Sequence, residues 1–238
     1  MKNDQFSFKR FIMLLCYELK FRVPNIAIAF IVLSAIIHVI YFVFFYWDTT
    51  FQPTTREPFV WSIIVAGSFY FPFAIYSQIR KKSGRAQFIL LPTTAMEKFA
   101  SMLTISLIIV PTLFILSCFL LDFTAFIMMQ DRYIDFLPIT YKIVKEFSIL
   151  LFCSVAVAVL GNLVFKRMAL FKTLLVTFVI TSLYCILVTN QWFKEIIESA
   201  DFNTELSNFV FISRIIYTCI SIVLYIVAYY RIKKIQAI

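Results

Sequence analysis

The sequence predicts an all-α, polytopic membrane protein with six transmembrane helices, an N-terminal amphipathic interfacial helix and both termini in the cytoplasm. Three observations carry this. Of the 238 residues, 62% are apolar and only 15% charged, whereas a soluble domain is nearer a quarter charged and could not hide such an excess in one core. The charges are spaced so that uncharged runs of 19 to 25 residues lie between them, matching the roughly 20 helical residues that cross about 30 Å of hydrocarbon. Lys and Arg also concentrate in alternate loops, which marks the cytoplasmic side.

Residues 4–22 form the first element. Phe8, Phe11, Ile12, Leu15 and Leu19 recur at three- and four-residue steps, with Lys9, Arg10, Glu18 and Lys20 elsewhere on the wheel, so an amphipathic helix is expected. It would lie along the inner membrane surface, its apolar face in the acyl boundary and its bases near anionic head groups. Pro24 is expected to turn the chain into the first span. The spans follow at about 24–47, 59–79, 100–121, 147–165, 173–191 and 209–230, the last interrupted only by Arg214. Sixteen of the 22 bases lie before span one, between two and three, between four and five, or after six, while ten of the 13 acids lie on the other side. The first apolar run is too long for a signal peptide, so it is expected to be retained. Residues 122–146 read as a short interfacial or re-entrant piece and 191–208 as a second interfacial helix, with Trp47 and Trp61 as head-group anchors.

Residues 80–99 are the longest cytoplasmic connection. Arg80, Lys81 and Lys82 stop span two at the head groups, Gly84 is expected to permit a turn, and Pro92 ends the apolar stretch 88–91. Thr94 and Glu97 have capping-box spacing and start a helix that runs into span three. A bare connection needs about two to eight residues. Some 20 ordered residues with exposed apolar side chains therefore point to a docking surface, against the simpler reading of an elbow lying on lipid.

The same residues exclude much chemistry. Gly67, Gly84 and Gly161 are far apart and no GxxxxGK[ST] motif is present, so any nucleotide chemistry belongs to another chain. The five cysteines have no zinc or redox spacing, and His38 is the only histidine, read as bonding a neighbouring helix. No enzyme activity, cofactor or metal is expected. The net charge of +9 follows from topology and needs no nucleic acid. Charges inside the spans are few, with Asp122 and Arg214 as a candidate intramembrane polar pair.

Taken together, six spans with both ends inside, a helix before span one and an elbow between spans two and three resemble the permease subunit of a type-2-class ABC exporter. The stretch GRAQFILLPTTAMEKFASM, from Gly84 onward, and the N-terminal FSFKRFIMLLCYELK are similar to small permease-like membrane proteins of that kind. The resemblance implies that Arg85, Gln87, Pro92, Thr94, Glu97 and Lys98 belong to an ATPase-coupling region, with Phe8, Phe11, Ile12, Leu15 and Leu19 on the connecting helix. It implies a cytoplasmic ABC-type ATPase and a second permease copy or paralogue as partners, in the inner membrane among lipid. The function expected is ATP-driven export of a hydrophobic or amphipathic substrate. The alternative is a non-transporting membrane scaffold or assembly factor.

Overall fold

A computed structural model describes residues 5–47, 53–128, 141–198 and 202–236. They form helices, with no strand among the described residues: α1 Phe8–Trp47, α2 Pro53–Ile75, a 3-10 turn Ser77–Arg80, α3 Lys82–Leu90, α4 Ala95–Leu103, a π segment Thr104–Ile109, α5 Val110–Met128, α6 Tyr141–Val164, α7 Ala169–Glu198 and α8 Phe202–Gln236. The expected all-α class is therefore met. Among the described residues, Ala95–Leu120 and Ile212–Gln236 are long and apolar enough to cross a membrane, and Trp61–Ile75, Ser148–Val164 and Ala169–Leu183 are shorter apolar helices. These two long helices overlap the third and sixth of the expected spans.

The boundaries differ from the sequence reading in four places. First, α1 is one helix of 40 residues, about 60 Å long at 1.5 Å per residue, so the interfacial helix and the first run are not separated at Pro24. A helix-interior proline costs a hydrogen bond, but Leu14 and Glu18 before it are buried by packing, and tertiary packing outweighs local propensity. Second, Gly84 lies inside α3. The chain reverses instead at 91–94, where Leu91 is extended at φ −62° and ψ 125°, as the residue before a proline is constrained to be. Third, the piece 191–208 is no separate helix: it begins as the last turns of α7 and ends as the first turns of α8. Fourth, Trp61, expected as a head-group anchor, is only 4% exposed and packs in the core cluster; the Trp47 side chain lies outside the described residues. Of the expected re-entrant piece 122–146, residues 122–128 continue α5 and 141–146 begin α6, while 129–140 lie outside the described residues.

α6 is the centre of the bundle, packed on α2 and α8 and also on α7, while α2 lies against α5. One cluster fills the interior, including Trp61, Ile64, Phe71, Met102, Phe114, Val159 and Ile232. Two glycines allow neighbouring helices to approach closely. A Cβ on Gly67 would collide with the Phe114 ring, and one on Gly161 with the Thr173 side chain. Phe30 of α1 meets Phe114 edge-on at 5.2 Å between ring centroids, and Phe71 meets Phe114 at 5.3 Å, so one aromatic node joins α1, α2 and α5. Nearby, His38 Nδ1 lies 2.6 Å from its own helix's Ser34 carbonyl. The tie between helices is Ser34 Oγ to Ser117 Oγ at 2.7 Å, so the described bonds of the imidazole lie within α1 and not to a neighbouring helix as expected.

Outward, large apolar side chains stand exposed along four helices: Ile28 and Ile31 on α1, Leu116 on α5, Phe171 and Phe178 on α7, and Val223 on α8. Soluble monomers seldom expose so much apolar surface.

Candidate functional site

The elbow begins where α2 ends. Arg80 Nη2 donates to the Phe73 carbonyl at 3.1 Å, closing one of the carbonyls that a helix C-terminus leaves without a partner. α3 then presents two faces. Phe88 is buried in the core cluster, whereas Leu90 is 80% exposed and Gln87 is exposed beside it. Pro92 and Met96 continue the exposed surface.

Thr94 and Glu97 make the capping box that their spacing predicts. The Glu97 N–H donates to Thr94 Oγ1 at 3.2 Å, and the Thr94 N–H donates to Glu97 Oε2 at 2.9 Å. The second carboxylate oxygen reaches a distant part of the chain. Glu97 Oε1 accepts from the Ser7 N–H at 2.8 Å and from Arg10 Nε at 3.1 Å, with Arg10 Nη2 at 3.0 Å. One buried carboxylate thus caps α4 and holds the start of α1 against it. Burial alone would push the Glu97 carboxyl up. The N–H bonds from Thr94 and Ser7 together with the Arg10 guanidinium outweigh it and hold the group below the usual carboxylate range.

Lys98 points elsewhere. It is fully buried, donates through Nζ to the Phe88 carbonyl at 2.6 Å and sits 4.9 Å from the Phe88 ring centroid. A cation there complements the C-terminal end of α3. The adjacent pair Glu97 and Lys98 therefore fixes the start of α1, the start of α4 and the end of α3 at one point. Gln236 Nε2 completes the assembly by donating to the Thr93 carbonyl at 3.2 Å, so both described ends of the chain meet the elbow.

The α1 residues divide differently from the sequence wheel. Leu14 and Glu18 are buried, and Ser101 Oγ donates to Glu18 Oε2 at 2.7 Å. Leu15 and Leu19 are half-buried and pack on the core cluster, Phe11 is half-buried, and Phe8 and Ile12 are exposed. The Arg85 side chain lies outside the described residues, as does that of Asp122, so the Asp122–Arg214 pair lies outside them; Arg214 is half-buried on α8.

Sequence reasoning found the capping box and missed the long-range contacts of Ser7, Arg10, Glu18 and Gln236. A signal was present for two of them. Arg10, Leu14 and Glu18 fall at four-residue steps on one stripe, and charged residues bracketing a buried leucine mark a face docked on polar groups. Among the described residues, no group of His, Cys, Asp and Glu could hold a metal ion. No family model matches the chain, and no curated protein or solved structure shows significant similarity to it.

Proposed function

We propose that this chain is the permease subunit of an ATP-driven exporter of the type-2 class, with six membrane spans, both termini cytoplasmic, in the inner membrane. It would work with a separate cytoplasmic ATPase and a second permease copy or paralogue to move a hydrophobic or amphipathic substrate outward. The elbow is the observation that carries the reading. Its outer side offers Gln87, Leu90, Pro92 and Met96, while its inner side is fixed by Phe88, Glu97 and Lys98. A surface that must receive a push without yielding needs this division between contact residues and a rigid seat. Glu97 and Lys98, being buried, act as positioning residues; the contact falls to α3 and the 91–96 turn.

Closure of two ATPases around nucleotide would displace the elbow. Because Ser7, Arg10 and Gln236 are bonded to it, α1 and α8 would move with it, shifting the bundle between two packings. The outward apolar faces of α1, α5, α7 and α8 fit a lipid environment.

The test is purification of the full chain from its native membrane with any bound ATPase, followed by reconstitution. The proposal expects Leu90→Asp to release the ATPase with the fold intact. A stable complex whose ATPase activity is indifferent to Leu90→Asp and Pro92→Ala would overturn it. A complex that forms normally but moves no substrate on ATP addition would favour the scaffold reading.

A further inference from the structure

Asn162 and Ser106 are among the buried polar side chains of the interior that no described contact uses. Asn162 of α6 is 3% exposed, and neither its amide nitrogen nor its amide oxygen finds a hydrogen-bond partner; Ser106 of the π segment is fully buried and its hydroxyl is likewise unpartnered. Groups of this kind are nearly always satisfied in folded proteins, by protein or by ordered water. An amide left bare in a low-dielectric interior is among the costlier arrangements a chain can adopt.

Both residues face the same core. Asn162 lies three and seven residues after Val159 and Val155, and Ser106 lies four from both Met102 and Val110; all four apolar residues belong to the one central cluster. Helical spacing therefore puts each polar group on an inward stripe. They also share a level. α2 and α5 run in opposite directions with Gly67 against Phe114, so Ser106, eight residues closer to the elbow, is level with Ile75. α2 and α6 both run toward the elbow, with Phe73 and Ala158 in one cluster, so Asn162 is level with Ser77. The two levels differ by about 3 Å at 1.5 Å per residue. α6 packs on both the π segment and the 3-10 turn.

We propose that Asn162 and Ser106 form a buried binding site for a small neutral hydrogen-bonding molecule, namely one or two internal water molecules, between α6 and the π segment. The amide offers donor and acceptor together and the hydroxyl can serve as either, which matches the two donors and two acceptors of water. A π turn carries an extra residue per turn, and such bulges recur at functional positions. The site sits where α6 meets the helix leading out of the elbow, and water there replaces a rigid apolar contact with an exchangeable polar one.

Hydroxyl-radical footprinting by X-ray radiolysis of the full chain in lipid nanodiscs tests this, because radicals born from an internal water oxidise its neighbours however buried they are. Met102 is fully buried one turn from Ser106, and Met96 is exposed and serves as the internal reference. The expected result is ready oxidation of Met102 in the unmodified protein, reduced several-fold in both Asn162→Leu and Ser106→Ala with Met96 unchanged. Protection of Met102 in the unmodified protein would overturn the proposal, and so would oxidation that neither substitution alters. A rise in Tm for Asn162→Leu would also overturn it, since removing a merely unpaired amide relieves strain. A direct Asn162–Ser106 bond would lower Tm in both variants yet leave Met102 protected, and that outcome equally refutes bound water.

Discussion

Replacing Glu97 by Ala removes the group on which the elbow and the start of α1 converge, and its cost can be built from the bonds. The α4 cap contributes about 1 kcal/mol and the Ser7 N–H bond a further 1 or so. The Arg10 pair, with the Arg10 side chain 34% exposed, contributes about 0.5–1 kcal/mol once solvent screening is allowed for. The small void left behind brings the loss to about 2–4 kcal/mol. Most of it is local, because Glu97 ties the first turns of α1 and not the interior of α6. Hydrogen exchange in residues 7–19 should therefore accelerate by about 30- to 700-fold, at tenfold per 1.4 kcal/mol, with exchange in α6 little changed. Arg10→Ala should cost about 0.5–1 kcal/mol, because the carboxylate keeps the Ser7 and Thr94 N–H donors. An Arg10→Ala loss as large as that of Glu97→Ala, or unaltered exchange in residues 7–19 of Glu97→Ala, would refute the description of Glu97 as the shared anchor.

Other outcomes follow from the same geometry. The folded-state value of Glu97 lies below its unfolded value of about 4.3, so its contribution is complete above that value and lost as pH falls through the folded value. Exchange in residues 7–19 should stay flat from pH 7 to 5 after correction for intrinsic rates and rise only in stronger acid, and Glu97→Gln should abolish that rise. Gly67→Val should lower stability by about 1–3 kcal/mol by driving a side chain into the Phe114 ring, measurable by thermal unfolding in nanodiscs. Met168, at φ 51° and exposed before α7, holds a left-handed conformation that costs about 1–2 kcal/mol for a residue with a Cβ. Met168→Gly should accordingly raise Tm slightly, since the relief exceeds glycine's entropic cost of about 0.5–1 kcal/mol.

The helical class and the elbow's internal punctuation were legible because their causes are local. Pro92 forces Leu91 out of the helical region, and Thr94 with Glu97 states a helix start in four residues. Helix ends governed by packing were not legible. Pro24 reads as a break until the burial of Leu14 and Glu18 against α4 holds the preceding turns in line. Gly84 reads as a turn, yet nothing in α3 requires a left-handed residue there. The candidate site was half visible. Glu97 was found as a cap, but its second oxygen bonds residues 87 and 90 positions away, and such a contact leaves no local trace. Trp61 shows the same limit, since an indole near the end of an apolar run can anchor at head groups or fill a core, and only the neighbouring helices decide.

The proposed function turns on what touches Leu90, the most exposed large apolar residue of the elbow. The most direct measurement is site-specific photo-crosslinking in the native membrane, with Leu90→p-benzoylphenylalanine and, as a control on the exposed apolar face of α8, Val223→p-benzoylphenylalanine, each adduct identified by mass spectrometry. The expected result is a nucleotide-sensitive adduct from position 90 to a protein carrying a phosphate-binding loop, and none from position 223. Adducts from position 90 confined to lipid, or formed with a protein that binds no nucleotide, would contradict the proposal.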